Sequence, residues 1–114
     1  MIFSTRVTRI WLACHHTDFR RQHDGFLAAI LNLGLDPFKG DLVIFIGRRR
    51  TNLRVCYADT TGLWLASKRF TVEGIKTRFR FLSDPTCNEI TQAELALILE
   101  GSAYHISQKV KTYP

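Results

Sequence analysis

Asp36–Phe70, DPFKGDLVIFIGRRRTNLRVCYADTTGLWLASKRF, decides the fold. Leu42–Ile46 is apolar at every position, the composition of a central strand covered on both faces. Gly47–Asn52 is a polar turn that carries Arg48, Arg49 and Arg50. Leu53, Val55 and Tyr57 then alternate with Arg54, Cys56 and Ala58 at the two-residue period of a strand. Asp59-Thr60-Thr61-Gly62 has turn chemistry, and Leu63–Phe70 returns as another strand. Short turns between consecutive strands force antiparallel neighbours, because a parallel return needs a crossover of a dozen residues or more. The stretch therefore predicts an antiparallel sheet with cations gathered at one hairpin tip.

Upstream, Val7–Ala13 reads as a first strand. Thr17 or Asp18 can cap a helix in which Phe19, His23, Phe26, Leu27, Ile30 and Leu31 share one side. Gly34 stops that helix and Asp36-Pro37 enforces the exit. Downstream, Glu73-Gly74 turns into a strand over Ile75–Leu82. There Ile75, Thr77, Phe79 and Phe81 face one way, and Lys76, Arg78 and Arg80 the other. Asp84-Pro85 closes the sheet. Thr91-Gln92-Ala93-Glu94 matches a capping box at the start of a short, largely apolar helix that ends at Gly101. The expected fold is α+β: an antiparallel β-meander of about four strands, an N-terminal strand and two helices.

A chain of 114 residues has room for one domain, 1–114, with a modest core and a tail that frays from about residue 107. No apolar run is long enough to span a bilayer. The arginines within MIFSTRVTRIWLAC make a poor signal peptide, so the expected location is cytoplasmic. Cys14, Cys56 and Cys87 are odd in number, widely spaced and form no Cys-x-x-Cys pair, which argues against a disulfide framework or a structural zinc and reads as buried or half-buried thiols.

Charge is the bulk property that points toward function. The net charge is +6, and Phe45–Leu82 holds nine Lys/Arg against Asp59 and Glu73, a local +7. A concentrated positive field favours polyanions. Arg48, Arg49 and Arg50 on a loop can fork onto adjacent phosphates. Arg54, Lys68 and Arg69, with Lys76, Arg78 and Arg80, extend that footprint where their strand faces coincide. A solvated basic face gives the same composition and is the alternative. Phe79 and Phe81 lie opposite Arg78 and Arg80, so they read as core and not as stacking platforms for bases. The two helices are separated by the whole sheet, which leaves no helix-turn-helix.

Cys14-His15-His16 with Asp18 and His23 has no accepted ligand spacing, so neither metal nor cofactor is expected. Asp18, Asp24, Asp41 and Asp59 read as capping and turn residues, and the chain is too short for the nuclease core on which metal-binding acid trios sit. No catalytic residue is expected. The final helix must bury its apolar side in its own core or against a partner; Leu95, Ile98 and Leu99 are the candidate partner surface.

Several segments, in order and at matching intervals over Val7–Gly101, resemble the accessory proteins encoded by the second open reading frame of insertion sequence 66 elements (TnpB type). Thr17-Asp18-Phe19-Arg20-Arg21 with Asp24-Gly25 is similar to their TDMRK…DG opening. Asp36-Pro37-Phe38 with Gly40 resembles DPFSG, and Phe45–Arg50 resembles VFRNRR. Leu53-Arg54-Val55 resembles RIK. Gly62-Leu63-Trp64-Leu65 with Lys68-Arg69-Phe70 resembles GFWLWYKRL, and Glu100-Gly101 the closing LLEG. Phe19, Ala58, Thr60 and Ser67 depart from the family's usual methionine, tryptophan, glycine and aromatic. The resemblance implies a non-catalytic partner of a separate, larger transposase in DNA transposition. With the basic hairpin, it gives an expectation of DNA binding. An interaction module that holds the transposase through the last helix and an RNA-binding module are the alternatives.

Overall fold

The computed structural model describes residues 4–71, 74–75 and 80–102. Five strands form one sheet in the order β4-β3-β2-β1-β5: β1 (Arg9–Ala13), β2 (Asp41–Ile46), β3 (Asn52–Ala58), β4 (Leu63–Arg69) and β5 (Cys87–Ile90). Helix α1 (His23–Asn32) connects β1 to β2, and α2 (Gln92–Glu100) follows β5. The α+β class, the mostly antiparallel sheet and the two helices match the sequence expectation.

Strand alternation sorts the core into two layers. Leu12, Leu42, Ile44, Ile46, Leu53 and Val55 point to one face, where Leu95, Ile98 and Leu99 of α2 cover them. Trp11, Ala13, Val43, Phe45 and Cys56 point to the other, under Phe26 and Ile30 of α1. With a helix on each face, β2 is buried at all six positions, as its unbroken apolar run predicts. Phe26 meets Phe45 edge to face at 5.0 Å and Phe19 at 5.8 Å.

Hairpins β2–β3 and β3–β4 pair antiparallel, Ile46 opposite Leu53 and Ala58 opposite Leu63. The first and second strands instead run parallel, Arg9 opposite Asp41 and Leu12 opposite Ile44. The α1 crossover makes that possible, so β1 and β2 end on the same side of the sheet.

Asp41 binds this corner together. It is 4% exposed; its Oδ1 accepts from the Trp11 indole at 3.0 Å and its Oδ2 from the Asp36 amide at 2.9 Å. Arg9 Nε lies 3.3 Å from Oδ1. Asp41 is thus a buried tie between strands and not the turn residue its type suggests. The preceding Pro37–Lys39 turn is capped by Asp36 Oδ1, which accepts from the Phe38 amide at 2.9 Å, and it closes at Gly40 with φ 103°. A Cβ at Gly40 would sit 2.9 Å from the Arg6 carbonyl oxygen, so both conformation and space require glycine there.

Two local expectations shift. Helix α1 begins at His23, with Gln22 at its cap and no side-chain bond. Asp18 Oδ1 accepts from the Arg20 amide at 2.9 Å, and the carboxylate also holds the Arg20 guanidinium at 2.9 Å. This two-residue Asx turn competes with helix initiation and wins. Asp84-Pro85 does not close the sheet: Cys87–Ile90 adds a strand antiparallel to β1, with Cys87 opposite Ala13 and Ile90 opposite Ile10. Of the strand expected over Ile75–Leu82, Lys76, Thr77, Arg78 and Phe79 lie outside the described residues, as do Glu73 and the tail from residue 107. Leu82 makes an isolated parallel bridge with His15.

The second helix starts as the sequence predicts. Thr91 Oγ1 accepts from the Glu94 amide at 3.1 Å, Glu94 Oε1 accepts from the Thr91 amide at 2.9 Å, and Gly101 ends the helix at φ 75°. All three cysteines are buried free thiols; burial pushes Cys56 up to about 12.

Candidate nucleic-acid interface

The turn joining β2 to β3 presents the arginines. Gly47 N donates to the Asn52 carbonyl at 2.9 Å and Arg50 N to the Gly47 carbonyl at 2.8 Å. Arg50 adopts φ 58°, a left-handed conformation that costs a non-glycine residue about 1–2 kcal/mol. The position is held from outside, since the Arg50 carbonyl accepts from Ile75 N at 2.6 Å and the Thr51 carbonyl from Phe70 N at 2.8 Å. Gly47 packs closely against its neighbour: a Cβ there would meet the Asn52 side chain, which would have to turn away.

Arg48 and Arg49 are exposed at the tip, whereas Arg50 is half-buried. Neither Arg48 nor Arg49 forms an ion pair among the described residues; the two pairs there are Arg9–Asp41 and Arg20–Asp18. Arg50 lays its guanidinium 5.2 Å over the Phe81 ring, and burial lowers its pKa.

The flanking cations divide between the faces. Arg54 and Arg69 lie on the α1 face, because Arg54 pairs with Ser67 and Asn52 with Arg69. Arg54 Nε donates to Ser67 Oγ at 3.1 Å, and the guanidinium lies 5.1 Å over Phe19 and 5.8 Å over Phe26. Arg69 is exposed. Lys68 faces the α2 side, where its Nζ donates to the Leu99 carbonyl and sits 4.7 Å over Phe70. A cation at a helix C-terminus satisfies an orphan carbonyl and opposes the helix dipole. Thus the turn gathers Arg48, Arg49 and Arg50, Arg54 and Arg69 share one adjoining face, and Lys68 stands apart.

One neighbour is absent from the sequence expectation. Because β1 and β2 are parallel, the residues after β1 emerge beside the arginine turn. His16 stacks on Phe81 at 3.9 Å with 25° between the rings. Burial, then Arg48, His15 and Arg50, lowers its pKa. His15 is pushed down mainly by burial and has its Nδ1 3.4 Å from the Thr86 carbonyl. Among the described residues no cluster of three or more His, Cys, Asp or Glu could hold a metal ion. The signal for His16 is non-local: only the pairing of β1 with β2 brings it to the turn.

Leu95, Ile98 and Leu99 are 3%, 0% and 8% exposed, so the apolar side of α2 is engaged with the sheet. Leu95 and Leu99 also line an open groove of about 760 Å³ with Leu53, Val55, Ala66 and Lys68. At the other end of β4, Trp64 is 52% exposed, stacks on Tyr57 at 6.2 Å and donates to Asp59 Oδ2 at 2.7 Å. No helix among the described residues is long and apolar enough to cross a membrane.

The family model described as IS66 Orf2 like protein matches residues 8–109. Two relatives come from Sinorhizobium fredii (strain NBRC 101917 / NGR234). Uncharacterized protein y4jC is 35% identical over 82 residues, 67% of this chain and 70% of the relative. Uncharacterized protein y4hO is 32% identical over 108 residues, 89% of this chain and 86% of the relative. No solved structure matches at a significant level.

Proposed function

We propose, from the premise that this chain belongs to the IS66 Orf2-like family, that it is a non-catalytic accessory protein of insertion-sequence transposition that binds DNA through its arginine turn. Membership supports the accessory role and action alongside a transposase. The single observation that supports the DNA-binding part is the turn itself, where Arg48 and Arg49 stand exposed without an ion pair among the described residues. Arg50 completes the tip, Arg54 and Arg69 extend it along the α1 face, and Lys68 adds charge from the other face while holding α2.

Guanidinium forks match phosphate oxygens two at a time. Contacts of this kind set position on a duplex and carry no sequence information. Engagement of about five phosphates lowers affinity roughly 10²- to 10³-fold between about 50 and 200 mM salt.

The test is the salt dependence of duplex binding, read by fluorescence anisotropy, for the wild type, Arg48→Ala/Arg49→Ala and the control Arg20→Ala. The double variant should flatten the slope of log K against log salt by about 1.8, and Arg20→Ala should leave it unchanged. Identical slopes and affinities for all three proteins remove the turn from DNA binding. Single-stranded RNA of equal length is the second arm; tighter binding to it would assign the turn to RNA.

A second reading has one observation in its favour: the open groove beside α2 is lined together by apolar side chains of β3, β4 and α2. It makes the chain a module that seats a segment of the transposase there. Ala66→Glu would abolish nuclease-resistant co-purification with the transposase under this reading, and Arg48→Ala/Arg49→Ala would leave it intact.

A further inference from the structure

We propose that His16 and Arg48, beside the turn segment carrying Arg50, form a subsite for one phosphate group of a nucleic-acid backbone, and that the subsite is complete only when His16 is protonated. The proposal rests on the DNA-binding reading and names a residue and a control that this reading lacks.

The geometry begins with the parallel pair. Beyond the last β1 residue, Ala13, come Cys14, His15 and His16; beyond the last β2 residue, Ile46, come Gly47 and the arginines. Both segments leave the sheet on the same side. A third segment closes the cluster: Leu82 bridges His15, and Phe81 lies between His16, stacked at 3.9 Å, and Arg50, 5.2 Å above the ring.

Stacking engages the face of the His16 imidazole and leaves its edge, which carries both ring nitrogens. His16 is exposed, and neither nitrogen makes a hydrogen bond among the described residues. His15 differs, since its ring is half-buried and turned to the Thr86 carbonyl. An imidazolium edge offers two N–H donors, and a phosphate supplies acceptors for those and for a guanidinium at once.

Electrostatics favours an anion here. Among the described residues, the charged and titratable groups around His16 are His15 on its own segment, Arg48 and Arg50 on the turn, and Arg80 next to Phe81. Asp18, two residues along, is held by Arg20. Arg48 and Arg50 oppose the charging of His16, and an anion held by His16 and Arg48 reverses that opposition. The sign follows. The free imidazole titrates below its usual 6.5, and a bound phosphate raises it. Affinity therefore grows as pH falls through the bound value and levels off below the free one. One added charge-assisted contact limits the gain to about tenfold.

Duplex affinity is measured at fixed salt from about pH 7.5 to about pH 5.5 for the wild type, His16→Gln and His15→Gln. Wild type and His15→Gln should tighten about three- to tenfold more than His16→Gln. In the wild-type protein, the NMR titration midpoint of His16 should move up when duplex is added. Parallel pH profiles for wild type and His16→Gln, or an unmoved His16 midpoint, overturn the subsite while Arg48→Ala/Arg49→Ala still reports on the turn. A wild type with no salt-dependent DNA affinity overturns both proposals together.

Discussion

Replacing Asp41 with alanine should destabilise the protein by about 3–4 kcal/mol. Asp41 is 4% exposed and its carboxylate serves three donors from two places in the chain: the Trp11 indole and Arg9 on β1, and the Asp36 amide ahead of the Pro37–Lys39 turn. Removing a buried charged acceptor costs about 1–3 kcal/mol for each hydrogen bond that loses it. Two such bonds are short here, at 3.0 and 2.9 Å. The Arg9 side chain is 50% exposed, and a pair of that kind adds no more than about 1 kcal/mol. Small domains are stable by only about 5–15 kcal/mol, so the loss is a large share of the total. In urea, with a slope of about 1.5–2 kcal/mol per molar, the midpoint should fall by about 2 M with the slope unchanged. Asp41→Asn keeps one carbonyl acceptor and should cost about half as much. A double-mutant cycle with Trp11→Phe should show coupling of about 1–2 kcal/mol. An Asp41→Ala loss under about 1 kcal/mol, or additivity with Trp11→Phe, would refute the assignment of Asp41 as the tie between β1 and the turn before β2.

The capping box of α2 is a second test. Thr91→Ala should cost about 1 kcal/mol and Thr91→Ser only a few tenths, measured by thermal unfolding; equal costs would mean that the hydroxyl does not cap. The third concerns pH. The Trp64 indole bond, then the Thr61 amide, holds Asp59 at about 2, against 3.8 for the free side chain. The folded value is the depressed one, so this carboxylate's contribution to stability is full above 3.8 and is lost as pH falls through about 2. Carboxyl NMR should place the Asp59 midpoint near 2, and Asp59→Asn should abolish the matching change in Trp64 fluorescence; a midpoint at 3.8 would deny the bond.

The elements visible in the sequence are those whose signal lies within a few residues. Leu42–Ile46, Leu53–Tyr57 and Leu63–Arg69 announce themselves by apolar runs and alternation, and their turns by Gly47 and the Asp59–Gly62 segment. Thr91 and Glu94 mark α2 because each supplies the other's missing partner. What stayed hidden depends on contacts between distant residues. Cys87–Ile90 is four residues long with Asn88 and Glu89 inside it, too short and too polar to read as a strand until β1 pairs with it. The late start of α1 turned on whether the Asp18 carboxylate caps a helix or takes Arg20, and sequence type permits either. Asp41 has the type of a turn residue, and nothing adjacent to it shows Trp11 and Arg9 arriving from a distant strand.

The same logic governs the site. The arginine cluster was legible as composition, but the side of the sheet taken by each flanking cation was a question of register: Ser67 opposite Arg54 and Lys68 opposite Leu53 send Arg54 and Lys68 to different faces. His16 could not be connected with the turn until the parallel pairing was known, because 31 positions separate it from Gly47 in the chain.

Among the described residues the sheet has two unpaired margins, β4 and β5, and the longer of them ends in Ser67, Lys68 and Arg69. Bare strand borders invite another chain to add itself, and lysine and arginine there are a common safeguard. The cations of β4 therefore carry a duty toward the protein's own solubility, separate from any ligand. Neutralising Lys68 and Arg69 together would strip that guard from a seven-residue strand that also displays Trp64, and self-association that worsens with concentration is the outcome to expect.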